Sequence, residues 1–242
     1  MATQTKNDID QLLADSLKEL AAKRPMEKIT IKEITDKAGV IRPTFYNHFQ
    51  DKFELLEWII RTELLEPILP LVRSGMVTEA MVLLFTSIER DKAFYSHVVK
   101  LEGAVTFHDV AQKCVREMLL SIIEEQMTGK TPKHKWLSPE VIASYYAQSM
   151  CFATEEWIGQ GMTISPREIA EAYNYMITRS MTDVISELEE SKIDKYKTGN
   201  LYIMLYKFAK MYILLIQDKK IEYFHIRSFF LYSQVKNKVN GW

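Results

Sequence analysis

Thr30-Ile31-Lys32-Glu33-Ile34-Thr35-Asp36-Lys37-Ala38-Gly39-Val40 runs straight into Ile41-Arg42-Pro43-Thr44-Phe45-Tyr46-Asn47-His48-Phe49-Gln50-Asp51-Lys52. Thr30 and Glu33 have capping-box spacing: the hydroxyl accepts from the Glu33 N–H, and the carboxylate reaches back to the Thr30 N–H. Ile34 and Ala38 point inward along one helical stripe. Gly39 suits the left-handed conformation that ends a helix. A second helix begins near Arg42, where Pro43 is tolerated because first-turn N–H groups have no intrahelical partner. Phe45 and Phe49, four apart, pack inward and leave Arg42, Thr44, Tyr46, Asn47 and His48 on other faces. Two short helices joined through Gly39 make a helix-turn-helix, a shape whose second helix fits the major groove of DNA.

Asp51 and Glu54 repeat the capping spacing and start a further helix through Leu55, Leu56, Trp58, Ile59 and Ile60. Lys52 falls in its first turn, where the helix dipole favours anions; a bound phosphate would resolve that conflict. A helical corner with no DNA nearby is the plainer alternative, since Gly-turned helix pairs are common in all-α proteins. The string Tyr46-x-His48-Phe49-x-x-Lys52 near the N-terminus tips the reading to DNA.

On Ile29-Thr30-Ile31, Ile34, Ala38-Gly39-Val40, Thr44 to Phe49, Lys52 and Leu55-Leu56, residues 7–60 resemble the DNA-binding domain of TetR/AcrR-type bacterial regulators. The resemblance implies phosphate contacts from Thr30, Thr44, Tyr46, His48 and Lys52. It places Arg42, Pro43, Thr44 and Asn47 at base or sugar edges. Members usually carry Ser or Thr where Ile41 stands. Ile41 cannot accept a hydrogen bond, and losing such a cap costs about 0.5–2 kcal/mol. A displaced or looser helix start is therefore expected.

The implied fold is all-α: an N-terminal three-helix helix-turn-helix domain (1–50), a connecting helix (51–66) and a helical ligand-binding and dimerisation domain (67–190). The 242 residues are 47% hydrophobic with only 8 Gly and 7 Pro, so long helices can run uninterrupted. Apolar spacing puts helices at 6–23 (Ile9, Leu12, Leu13, Leu17 and Leu20 inward), 76–88, 91–100, 104–127, 138–161 and 166–190. Ser138-Pro139 and Ser165-Pro166 read as helix starts. Pro67 stops the connecting helix, and Pro67 with Pro70 makes a hinge or kink. Two Cys and no signal peptide point to the cytoplasm.

Formal net charge is −1, divided between +7 over residues 191–242 and −8 over the rest. DNA contact must then come from a local patch of Lys28, Lys32, Arg42, His48 and Lys52, with affinity that falls steeply with salt. The 191–242 tail is basic and apolar. Leu201 to Ile216 is short for a span of ~20 residues and is broken by Lys207 and Lys210, so no membrane partner is expected. The residues dominating the tail can be encoded by A/T-only codons, so it reads as an appended segment without an evolved role.

The resemblance further implies a homodimer on a palindromic double-stranded DNA operator, a repressor role and a small-molecule effector. Dimer candidates are Tyr145, Met150, Tyr173, Met176, Ile177, Met181 and Ile185. Effector candidates are Phe107, His108, Trp136, Tyr145, Met150, Cys151, Glu155 and Trp157, because ligand cavities are mostly apolar with a few fixed polar groups. At each of these effector positions an ordinary core role is the stronger reading. His97, His108, Cys114, Cys151, Glu155 and Glu156 could together make a metal-sensing variant, but none shows tight metal-ligand spacing, and buried thiols are the better reading. No metal and no cofactor is expected. Enzyme motifs such as a Gly-rich phosphate loop or Gly-x-Ser-x-Gly do not occur, and no catalytic residues are assigned. A helical protein–protein adaptor is the remaining alternative.

Overall fold

A computed structural model describes residues 2–127 and 134–190. The first helix, α1 (Ala2–Ala21), buries Leu13, Ala14, Leu17 and Ala21. Leu12, expected inward, is 49% exposed, because its neighbours at 13 and 17 set the buried stripe and position 12 lies about 100° away. A 3-10 turn (Met26–Lys28) leads to α2 (Ile31–Ala38). The Thr30–Glu33 capping box forms in both directions, and Gly39 closes α2 at φ 71°. There the Val40 N–H reaches Thr35 O at 3.0 Å, the bonding that a left-handed residue permits.

α3 (Arg42–His48) and α4 (Lys52–Ile59) follow. Asp51 caps α4 by accepting from Phe53 N (2.8 Å) and Glu54 N (2.9 Å). The returning Glu54 bond goes to the Gln50 N–H, one residue earlier than a standard box. Phe45, Leu55, Leu56 and Ile34 share one core with α1. Each such side chain contributes roughly 1.5–3 kcal/mol by burial.

The connecting helix does not stop before Pro67. A π-helical turn (Ile60–Leu65) carries it into α5 (Glu66–Arg73), which contains both Pro67 and Pro70. Pro67 stands in the first turn of α5, where the missing N–H matters least. The wider π spacing appears in the Glu66 N–H bond to Arg61 O, five residues back. The irregularity expected at the prolines therefore lies just before them. Ion pairs fix the rod: Lys113 Nζ to both Glu57 oxygens at 2.8 Å, Arg61 to Glu117, and Lys18 to Glu63 (2.7 Å) and Asp91 (3.4 Å). Burial opposes the Lys18 charge, but Glu63, Asp91 and Asp15 outweigh it and raise its pKa.

The body comprises α6 (Val77–Arg90), α7 (Lys92–Val98), α8 (Phe107–Met127), α9 (Pro139–Gly159) and α10 (Pro166–Thr178). α8 packs along α9, and α10 packs on α6. α8 starts at Phe107 rather than 104, because Thr106 and Asp109 cap each other. The expected helix 166–190 is two helices. Ser180 and Asp183 form a further reciprocal cap, so Arg179 is extended (φ −116°, ψ 150°) and α11 (Met181–Glu190) begins anew. Val184 ends one compact unit; of the second, from Ile185 on, residues 185–190 are described. The 191–242 tail lies outside the described residues.

Candidate nucleic-acid interface and effector cavity

Two opposite faces define α3. Phe45 is fully buried and its ring meets Phe49 at 5.9 Å, which in turn meets Trp58 edge-on at 6.4 Å. Arg42, Pro43, Tyr46 and Asn47 are exposed, and Thr44 is half-buried. Positions i, i+1, i+4 and i+5 lie on one side of a 3.6-residue helix, so these four make one outward surface. Arg42 Nη2 donates to Tyr46 Oη at 3.3 Å, with the guanidinium 6.0 Å from the ring centroid. Arg42 is thereby laid along the outward face. Ile41 makes no side-chain cap, yet its backbone holds the usual extended cap conformation (φ −89°, ψ 152°) and α3 starts at Arg42 without displacement. Its side chain is 68% exposed at the tip of that face.

Thr30 is exposed at the start of α2. Its partner Glu33 also accepts from Arg24 Nη2 at 2.6 Å. The Arg24 bond, then the Thr30 N–H and hydroxyl, hold the Glu33 carboxyl down to about 2.

His48 and Lys52 are expected phosphate contacts whose polar atoms are bonded to groups far away in sequence. His48 Nδ1 pairs with Asp10 Oδ1 at 2.6 Å, and both side chains are largely covered. The pair latches α3 to α1. Lys52 Nζ donates to Met26 O (2.8 Å), Glu27 O (2.9 Å) and Ile29 O (2.9 Å). An ammonium has three N–H donors, so all three point into the α1–α2 connection. Burial lowers the Lys52 pKa, while the charges of Glu27 and Asp51 oppose that shift. No sequence signal marks this role, because the carbonyls that Lys52 ties lie more than twenty residues earlier.

A narrow apolar cleft with about 30 Å³ of internal room lies between the π turn and the body. Ile60, Leu64 and Leu65 of the π turn line it, with Leu84 and Ile88 of α6. Phe107, Ala111 and Val115 of α8 and Met150, Cys151, Thr154 and Glu155 of α9 complete the wall. Of the expected effector residues, Phe107, Met150, Cys151 and Glu155 line it, and His108 stands beside it with Nδ1 2.8 Å from Glu155 Oε1. Trp157 does not: it is one turn further along α9, edge-on to Phe85 at 5.2 Å, with its indole N–H donated to Ile164 O. Tyr145 and Trp136 are 70% and 74% exposed, away from the cleft. The wall residues from the π turn and α6 were missed because their apolar spacing reads only as core. Burial raises the Cys114 and Cys151 thiols to about 11 and about 12.

Among the expected dimer residues, Tyr173 and Met150 are buried within the chain, because α9 and α10 turn those positions inward. Ile177 is half-buried against the core, and Ile185 is half-buried in α11. Met176, Met181 and Tyr145 are exposed, and Tyr146 and Phe152 join Tyr145 on the open side of α9. Among the described residues no cluster of three His, Cys, Asp or Glu could hold a metal, and no helix is long and apolar enough to cross a membrane.

Residues 13–59 match the family described as "Bacterial regulatory proteins, tetR family", and residues 77–179 match "Transcriptional regulator C-terminal region". The chain is 25% identical over 156 residues to the HTH-type dhaKLM operon transcriptional activator DhaS of Lactococcus lactis subsp. lactis (strain IL1403), covering 64% of this chain and 81% of the relative. A solved structure of the dihydroxyacetone kinase operon activator DhaS superposes with TM-score 0.51 at 22% identity, covering 70% of this chain and 94% of that one. The structure of NalD, the secondary repressor of the MexAB-OprM multidrug efflux pump in Pseudomonas aeruginosa, gives TM-score 0.51 at 15% identity, with 73% and 96% covered. With family matches over both the helix-turn-helix and the helical body, the chain belongs to the TetR family and is a DNA-binding transcriptional regulator.

Proposed function

We propose that the protein is a cytoplasmic, effector-responsive repressor that binds a short palindromic operator as a homodimer. The observation that carries this reading is the division of α3. One face is core, and the other presents Arg42, Pro43, Tyr46 and Asn47 together. An Arg can bond guanine O6/N7 and an Asn adenine N6/N7, while Thr30, Thr44 and Tyr46 would hold the backbone. A single recognition helix contacts too few bases for selectivity, and two copies one helical turn apart read an inverted repeat. The exposed apolar set on α9 and α10 (Tyr145, Tyr146, Phe152 and Met176), with Met181, supports self-association. The domain division follows: residues 1–50 read DNA, the helix from 51 connects, and the remainder to 190 binds effector and partner copy.

The cleft touching the π turn supports ligand control, because a ligand there bears on the helix that carries the reading head. A ligand that binds one dimer geometry better shifts the population toward it. Activation is the second reading, favoured by the relative named as an operon activator.

The test is a mobility shift with DNA from around the gene, followed by Arg42→Ala and Asn47→Ala. Each exposed contact should account for about 1–3 kcal/mol of base discrimination, with folding unchanged. A reporter fused to the bound promoter decides the sign: expression that rises when the gene is deleted supports repression, and expression that falls supports activation. Failure of the purified protein to retain any duplex at low salt would overturn both.

A further inference from the structure

Ile41 takes no part in the DNA contacts expected above, nor in the core. Of the large apolar side chains in residues 7–60 it is the most open to solvent, at 68%. Val40 beside it packs against the core, while Ile41 stays in water. Its backbone is nonetheless pinned. The Ile41 carbonyl accepts from the Thr44 N–H at 2.9 Å, closing the first turn of α3. A β-branched side chain has few χ1 rotamers to lose, so burying it against a partner costs little ordering. The Arg42 guanidinium lies one turn on, at Tyr46. The start of the helix therefore presents Ile41 and the exposed Pro43 as an apolar tip.

The N-terminal end of a recognition helix is the part that meets base edges. Against a phosphate, or against the edge of adenine, guanine or cytosine, an aliphatic side chain would strip water from polar atoms and offer no hydrogen bond in return. The apolar group that the major groove offers is the thymine 5-methyl. We propose that Ile41 is a specificity-determining residue that packs on a thymine methyl, so that each half-site needs a T·A pair opposite the start of α3. It selects by attraction to the methyl and by exclusion of polar edges. This rests on the reading of α3 as the helix that enters the groove.

The test uses the full chain. Duplexes enriched from a random pool on the wild type at low salt are resynthesised with each thymine of one half-site replaced in turn by deoxyuridine, which removes only the methyl. Affinities are measured for wild type and Ile41→Ser, with thermal melts to show that both fold. Ile41→Asn replaces Ile41→Ser if that variant does not fold; either residue is a good helix cap. At one thymine, deoxyuridine should weaken wild-type binding about fourfold, as expected for one buried methyl, and the loss should vanish in the variant. At the same position, 5-methylcytosine should bind better than cytosine in the wild type alone. If no deoxyuridine penalty depends on residue 41 while Arg42→Ala still weakens binding by about tenfold, the methyl contact is overturned and α3 remains the reading helix. If the pool yields no enriched duplex, or Arg42→Ala and Asn47→Ala both bind like wild type, the reading of α3 fails and the proposal with it.

Discussion

Replacing Lys52 by Met keeps the aliphatic stem and deletes the three donors to Met26, Glu27 and Ile29 carbonyls. A hydrogen bond from a charged donor contributes about 1.5–3 kcal/mol net when well buried. Lys52 is only half-buried, so water can replace part of the loss, and the three together should be worth about 2–4 kcal/mol. That is a large fraction of the roughly 5–15 kcal/mol by which domains are stable. For a chain of this size, 1 kcal/mol moves Tm by about 2–4 °C, so Lys52→Met should lower Tm by about 4–16 °C. The assay pairs thermal melts by circular dichroism with operator affinity measured from low to moderate salt. A lysine that only met a phosphate would behave oppositely. Stability would stay within about 0.5 kcal/mol, while the slope of log affinity against log salt would flatten by about one unit. That second pattern, an unchanged Tm with a flattened slope, would refute the structural role and return Lys52 to the DNA interface.

Glu33 in the fold titrates at about 2, below the ordinary carboxylate value, so its bonds to Arg24 and Thr30 stabilise the fold above about pH 4.5 and fade as pH falls toward 2. Acid unfolding should accordingly show a stability gap between wild type and Glu33→Gln that closes over that window; a gap independent of pH would contradict it. Cys114 and Cys151, raised to about 11 and about 12 by burial, should resist a thiol reagent at pH 8 in the native protein and react fully in denaturant. Fast native labelling would show that the body opens around them. The Tyr95 hydroxyl is buried and finds no hydrogen-bond partner among the described residues. Tyr95→Phe should leave stability unchanged or raise it by up to about 1–3 kcal/mol in urea melts, and a clear loss would mean the hydroxyl is bonded in solution.

Local chemistry was legible because it depends on neighbours in sequence. The Thr30 and Ser165 capping boxes, the left-handed Gly39 and the inward Phe45–Phe49 pair each follow from spacing of three or four residues. The same logic, applied to Thr106–Asp109 and Ser180–Asp183, would have placed the start of α8 and the break before α11; Asp in the third position concealed those boxes. Periodicity also distinguished the outward surface of α3 from its core face. It could not distinguish a buried position lining a cleft from one filling a core, as Trp157 and Met150 show.

What the sequence alone determined is the helix-turn-helix with its caps, the all-helical body and the polarity of the reading helix, since each arises from bonds within one turn of the chain. Tertiary structure decided where charge goes. It sent Lys52 to carbonyls of the α1–α2 connection and His48 to Asp10, set Glu155 at the mouth of an apolar cleft, and moved the irregular turn ahead of Pro67. Those outcomes depend on which helices meet across tens of residues, and a long polar side chain will satisfy its hydrogen bonds with whichever acceptors that meeting brings within reach.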